Sequence, residues 1–131
     1  MDKDRSISKH LKWSEIRCRG NGCCDGGGIT AETADLFEMI RAQVAAALGA
    51  EVPIYVTSGY RCYTHNKAVG GVKASQHMRG IALDLDCPEG MEYETFYHIC
   101  DALNPDGGVG KYPRHGFVHV DVRGKEARWD G

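Results

Sequence analysis

The sequence predicts one domain of helices and short strands spanning residues 1–131, and three stretches carry that prediction. Residues 30–48 repeat apolar side chains at helical spacing: Leu36, Ile40, Val44, Ala47 and Leu48 form one stripe. Residues 81–86 alternate, with Ile81, Leu83 and Leu85 on one face and Ala82, Asp84 and Asp86 on the other. Residues 117–123 alternate likewise, the valines filling one face while His119 and Asp121 share the other. Period-two alternation is the mark of a half-buried strand.

The remaining elements follow in order. Residues 1–12 are polar and are expected to pack loosely. Trp13-Ser14-Glu15-Ile16 leads into the stretch from Cys18 to Gly28, which holds too much glycine for helix or regular strand. A polar, Cys/Gly-rich segment (1–28) therefore precedes the core (29–131). Thr30 is the expected N-cap of the main helix, with Glu32 and Asp35 in its early turns, and Gly49 is its stop. Residues 52–58 read as a strand with Pro53 at its start, where a missing donor is tolerated. A short helix over 63–69 carries His65 and Asn66. After a turn at Cys87-Pro88-Glu89-Gly90, a second helix over 91–103 points Phe96, Ile99, Cys100 and Leu103 inward. Residues 106–113 read as a flexible approach to the last strand, and Arg128-Trp129 is expected to dock the tail.

Composition narrows the class of function. Hydrophobic content of 42% with 26% charged residues describes a soluble globular chain with a modest core. Sixteen basic and eighteen acidic residues leave a net charge of −2, which gives no electrostatic reason to expect nucleic acid as a partner. No run approaches the ~20 apolar residues of a membrane span. The charged start, Met1-Asp2-Lys3-Asp4-Arg5-Ser6, lacks the apolar stretch of a signal peptide, so the product is expected to be cytoplasmic as synthesised.

Six cysteines stand at positions 18, 23, 24, 62, 87 and 100. Cys18, Cys23 and Cys24 lie in a glycine loop that could hold a small structural metal with Asp25 or a distant group as fourth ligand. The spacing lacks a C-x2-C pair, so a disulfide or reduced thiols are the expectation. None of the six falls among the candidate metal ligands described next, and all are expected to be dispensable for chemistry there. Cys62, though next to Arg61, should point away from it in extended backbone.

The residues that carry chemistry cluster in two stretches. His77 and Asp84 flank Gly80, whose backbone freedom lets a loop bearing His77 fold beside a strand bearing Asp84. An imidazole and a carboxylate supply two-thirds of a catalytic zinc site, and His119 on the second alternating strand offers the third ligand. His10 and His98 have no such company and read as surface or satisfied histidines.

Ser58-Gly59-Tyr60-Arg61, then Ser75-x-His77-x-x-Gly80-x-Ala82-x-Asp84, then Gly108-x-Gly110-x-Tyr112 and Val118-His119-Val120-Asp121 together resemble the zinc D-alanyl-D-alanine carboxypeptidase family. That group of peptidoglycan peptidases includes dipeptidases and phage endolysins. The resemblance is collinear over residues 50–124. It implies an α+β fold, a small antiparallel sheet with flanking helices, shared with the Hedgehog signalling domain. It implies that His77, Asp84 and His119 bind zinc, that Arg61 sits beside the metal, and that Arg61, Ser75 and Tyr112 meet the substrate, a peptidoglycan stem peptide. The site of action would be the bacterial cell wall.

Zinc with three protein ligands keeps a place for water, and a base must take that water's proton. An arginine such as Arg61 can stabilise an oxyanion or hold a carboxylate. Several relatives of the family place an acidic residue three positions before the last histidine, or a histidine two before it. Here those positions hold Gly116 and Phe117, which leaves Asp121 and His115 as candidate bases. Asp121 equally suits a group that fixes a histidine tautomer, and Asp86 is a further carboxylate of that kind. The competing class is a zinc-containing module without catalysis, binding cell wall or forming part of a phage particle. A structural zinc normally has four protein ligands, and three with an open position favour the enzyme.

Overall fold

The computed structural model describes residues 5–131. Residues 1–4, the start of the stretch expected to pack loosely, lie outside the described residues. A two-stranded ribbon, β1 (Ser6–Ser8) and β2 (Leu11–Lys12), leads into a single helical turn, α1 (Trp13–Ile16). The main helix α2 runs over Ala31–Leu48. Then come β3 (Val56–Ser58), α3 (Tyr63–Ala68), a 3-10 turn (Gln76–Arg79), β4 (Ala82–Asp86) and α4 (Tyr93–Leu103). The chain ends with β5 (Gly108–Tyr112), β6 (Phe117–Asp121) and β7 (Ala127–Asp130).

The five-stranded sheet has the order β3-β4-β6-β5-β7. Its first three pairings are antiparallel, as an α+β fold of this kind requires, whereas β7 returns to lie parallel to β5. One face carries Leu83, Leu85, Val109, Val118 and Val120, all fully buried. Helices α2 and α4 cover that face with Phe37, Ile40, Val44, Phe96 and Cys100. Each fully buried large apolar side chain contributes about 1.5–3 kcal/mol, and alternation then forces the polar residues of the same strands to the opposite face.

The caps of α2 are as the sequence indicates. Thr30 Oγ1 accepts the Thr33 N–H, and Gly49 ends the helix in left-handed conformation at φ 74°. Ala47, expected in the apolar stripe, is instead exposed. The strand expected over 52–58 is confined to Val56–Ser58, although Ile54 is buried ahead of it. In α4, Phe96 and Cys100 are buried, while Ile99 and Leu103 are half-buried. Among the described residues, no helix is long and apolar enough to cross a membrane.

Three expectations need correction. Residues 5–12 are not loosely packed: Leu11 is fully buried in the core with Trp13 and Ile16. Residues 108–112 are not a flexible approach but a strand of the sheet paired on both sides. The last strand is β7 rather than β6. Arg128 does dock this tail, donating to Asp101 Oδ1 (2.6 Å) and to the Asn104 carbonyl (2.9 Å) at the end of α4.

Glu38 of α2 holds the N-terminal ribbon. Its carboxylate accepts from the Ser8 hydroxyl, the His10 backbone N–H (2.7 Å) and the His10 ring (2.6 Å). Burial pushes its pKa up, but the bonds from Ser8 and His10 outweigh that and leave it below the ordinary value. A carboxylate whose pKa is depressed on folding stabilises above its unfolded pKa, and that contribution is lost as pH falls through the folded value. Glu38→Gln should therefore cost about 1 kcal/mol at pH 7, a fall of about 3–5 °C in Tm for a domain of this size. The gap should close as pH falls through the folded-state pKa of Glu38, which lies below the ordinary glutamate value. An equal gap at pH 7 and pH 3 in thermal melts would contradict this role.

Candidate metal centre

Pairing between β4 and β6 sets Asp84 opposite His119, and pairing between β6 and β5 sets His119 opposite Gly110. These side chains leave the face opposite the core. His77 comes from the 3-10 turn, where Ser75 Oγ accepts the His77 N–H at 3.2 Å. Gly80 then turns the chain directly into β4. Its φ of 70° favours glycine, and a Cβ there would stand 2.7 Å from the Gly28 carbonyl oxygen.

The three side chains converge. His77 Nε2 lies 3.2 Å from Asp84 Oδ1, and His119 Nδ1 lies 3.0 Å from the same oxygen. One ligand atom from each of the three falls within 4.8 Å of the others, and all three residues are buried. The hydrogen bonds behind the rings define what these atoms offer. A carbonyl only accepts, so His77 Nδ1 donates to Gly59 O (2.7 Å) and Nε2 presents a lone pair. His119 Nε2 donates to Asp121 Oδ2 (2.7 Å), so Nδ1 presents a lone pair as well. Two imidazole lone pairs facing one carboxylate are a donor set for a cation, and the residues fit a metal ion on those grounds.

The electrostatics agree. Burial lowers the pKa of His119, yet Asp121 and Asp84 outweigh it and raise the ring above its ordinary value. The space between the carboxylates favours positive charge. Asp84 feels burial upward and the two histidines downward, and lies well below the usual carboxylate range.

Asp121 is fully buried and fully engaged. It accepts from Gly108 N, Arg123 N, Arg123 Nε, Arg123 Nη2 and His119 Nε2. Burial raises its pKa, but Arg123 and His119 hold it well below the carboxylate range. It stands behind His119, away from Asp84. His115 is exposed in the turn between β5 and β6, outside the wall of the cleft. Asp86 lies one row along β4, opposite Phe117, and is also outside that wall.

The histidines open onto a cleft of about 500 Å³. Arg61, Ser75 and Tyr112 line it. Arg61 Nη1 donates to Asn66 Oδ1 (3.1 Å), while its Nε is buried with no partner. Cys62 turns the other way, toward Cys18 and Cys23. Sequence reasoning missed several residues that line the wall or hold it in place. Buried Asn66 ties Arg61 to the loop carbonyl of Val72 (2.9 Å). Arg123 extends the His119/Asp121 face by one more alternation, and that period was the available signal. Trp129 of β7 pairs with Gly110 and packs its ring 5.0 Å from that of His119. Its Nε1 donates to the Tyr112 hydroxyl at 2.8 Å, and Tyr112 stacks on Phe117 at 4.6 Å. No local pattern announces that placement.

Residues 9–121 match the sequence profile of the peptidase M15 family. The chain is 34% identical over 99 residues to the peptidoglycan L,D-endopeptidase MepK of Escherichia coli, covering 72% of this chain and 52% of that protein. It is 34% identical over 137 aligned residues to the zinc D-Ala-D-Ala carboxypeptidase of Streptomyces albus G, covering 98% of this chain and 51% of that protein. The chain belongs to the peptidase M15 family. It spans about half the length of these curated relatives.

The Gly108-x-Gly110 motif now has a physical cause. A Cβ on Gly108 would meet the Asp121 carboxylate, and one on Gly110 would stand 2.5 Å from Trp129 Cε2. Gly110→Ala should therefore destabilise by about 1–3 kcal/mol through overpacking, despite alanine's advantage over glycine in a strand. In a Trp129→Ala background the same change should be neutral or slightly stabilising. Urea unfolding of the four proteins of this cycle measures the coupling, and additive effects would show that Trp129 does not occupy that space.

Proposed function

We propose that the protein is a zinc-dependent peptidase that cleaves peptide bonds within peptidoglycan stem peptides, with His77, Asp84 and His119 holding the ion. The observation that carries this reading is the convergence of two imidazole lone pairs and one carboxylate at the floor of an open cleft. Zinc held by such a set keeps a fourth position and supplies a Lewis acid there, lowering the pKa of water and polarising the scissile carbonyl.

The chain's own residues do the rest. Arg61 lines the cleft, and its guanidinium is a donor suited to the oxygen that gains charge during hydrolysis or to a substrate carboxylate. Asn66 fixes the guanidinium by its bond to Nη1. Asp121 and the Gly59 carbonyl orient the two imidazoles. Tyr112, Phe117 and Trp129 give the cleft an apolar side for the substrate's aliphatic groups. Asp121, with every lone-pair direction engaged, serves as an orienting group rather than as the base.

Internal cleavage is favoured over trimming of a terminal residue. The main cleft and a hollow of about 260 Å³ on its other flank share Arg61 and Asp84 as walls. Space on both sides of the ligand set suits a chain that continues in both directions. Digestion of purified peptidoglycan followed by mass spectrometry of the new termini tests the proposal. Release of internally cut stem peptides is expected. Release of terminal D-alanine alone would refute the endopeptidase assignment, and no product with zinc-loaded protein would refute the peptidase.

Two variants separate the roles. Arg61→Lys keeps the charge but loses the planar fork, and should lower kcat by about a hundredfold with zinc content unchanged. Asp121→Asn should weaken zinc affinity by about ten- to a hundredfold, with excess zinc restoring most of the rate. A normal zinc affinity with a kcat that zinc does not rescue would make Asp121 the base instead.

A further inference from the structure

A second group of potential ligands lies on the other side of Arg61. Cys18, Cys23 and Cys24 of the glycine loop meet Cys62, and their four Sγ atoms lie within 4.8 Å of one another. Cys18 is 3.7 Å from Cys23 and 3.8 Å from Cys62, and Cys62 is 3.2 Å from Cys23. All four are free cysteines. A bonded sulfur pair would stand about 2.05 Å apart. Four thiolates around one ion at about 2.3 Å define a tetrahedron with edges of about 3.8 Å. Two of the observed separations match that edge, the third is shorter, and all four atoms stay within 4.8 Å of one another, closer to the tetrahedron than to any bonded pair.

The backbone around the cluster offers donors to sulfur. Backbone N–H groups point at three of the four atoms: Gly26 N at Cys24 (3.3 Å), Cys62 N at Cys18 (3.5 Å) and His65 N at Cys62 (3.4 Å). Cys18 and Cys62 are buried, but Cys23 and Cys24 are partly exposed, so the group is not a patch of apolar core. Between Cys18 and Gly28 the loop offers no apolar side chain apart from cysteine. A segment of that composition needs a staple to hold one shape. Gly20 is small for the same reason, since a Cβ there would meet Cys23 Sγ.

We propose that Cys18, Cys23, Cys24 and Cys62 bind a second zinc ion in a closed, structural tetrathiolate site. Soft thiolate ligands in tetrahedral array select zinc among the common divalent ions, and four protein ligands leave no position for substrate. The site clamps the N-terminal loop to the turn that carries Gly59 and Arg61. That turn is already tied to the loop's entry by the Tyr60 N–H bond to Ile16 O (2.8 Å). The four cysteines are free thiols, and the distant group that joins the loop is Cys62, 44 residues along the chain from Cys18.

The full chain, purified under reducing conditions, should contain two zinc ions by elemental analysis. The His77→Ala/His119→Ala double variant should retain one. Cobalt in that variant should give the intense sulfur-to-metal charge-transfer bands of a tetrathiolate, which the histidine site cannot produce. Cys24→Ser should lose one zinc and weaken those bands. Should this variant fail to fold, the double histidine variant and the intact chain still decide the matter. No zinc retained by the double histidine variant, no sulfur-to-cobalt band in it, or disulfides among these four cysteines in freshly isolated protein would each overturn the proposal. The histidine-site reading stands or falls separately, because its ion is lost in the double variant and this one is not.

Discussion

The pairing register of β4 against β6 is the constraint on which the candidate site depends. Asp84 faces His119 across that ladder, and the same row continues through Gly110 to Trp129. The next row holds Ala82, Asp121, Gly108 and Ala127. A slip of one residue would turn Asp84, His119 and Asp121 into the core and put Leu83, Leu85, Val118 and Val120 into the cleft. The apolar face under α2 and α4 forbids it, since those aliphatic side chains are fully buried. The hydrophobic effect thus sets the ligand geometry without touching the ligands.

Burying charge behind that register creates a second requirement. Asp84 and Asp121 both lie among buried neighbours, and an ionised carboxylate out of water needs partners. For Asp121 the partners are internal. Arg123 grips it with a two-pronged bond at 2.8 and 2.7 Å, and Gly108 can come close because it has no side chain. Among the described residues, the Asp84 carboxylate has only the two imidazoles, whose remaining nitrogens are committed to Gly59 and Asp121. The balance is deliberate in its asymmetry: one carboxylate is neutralised by the protein, and the other is left for a cation.

Much of this is legible in local pattern. Alternation identifies the strands bearing Asp84, His119 and Asp121, and helical spacing with a Thr30 cap identifies α2, because each signal comes from residues near one another in sequence. The misses share a different cause. Residues 108–112 contain two glycines and lack strand-forming side chains on one face, so propensity reads them as loop. Their glycines exist because Asp121 and Trp129 fill the space a Cβ would need. Leu11 in the core, Trp129 over His119 and Cys62 beside Cys18 are all long-range placements. Period and composition carry no information about them. The orienting role proposed for Asp121 rests on its five bonds, and neither its position nor its residue type distinguishes that role from a base.

The stretch Gly59-Tyr60-Arg61-Cys62 joins everything the molecule places around the histidines. Gly59 offers the carbonyl that orients His77, and a Cβ on it would stand 2.5 Å from the Ile16 carbonyl oxygen, so the turn sits directly on α1. The Arg61 N–H returns a bond to the His77 carbonyl at 3.2 Å, closing a two-way link between this turn and the ligand loop. Extended backbone then sends Arg61 into the cleft and Cys62 into the cysteine cluster. The role proposed for Arg61 needs its side chain held to a fraction of an ångström. Anchoring Cys62 in a rigid tetrahedral centre meets that need from behind. The N-terminal loop, remote in sequence from every histidine ligand, thereby becomes part of what sets the position of Arg61.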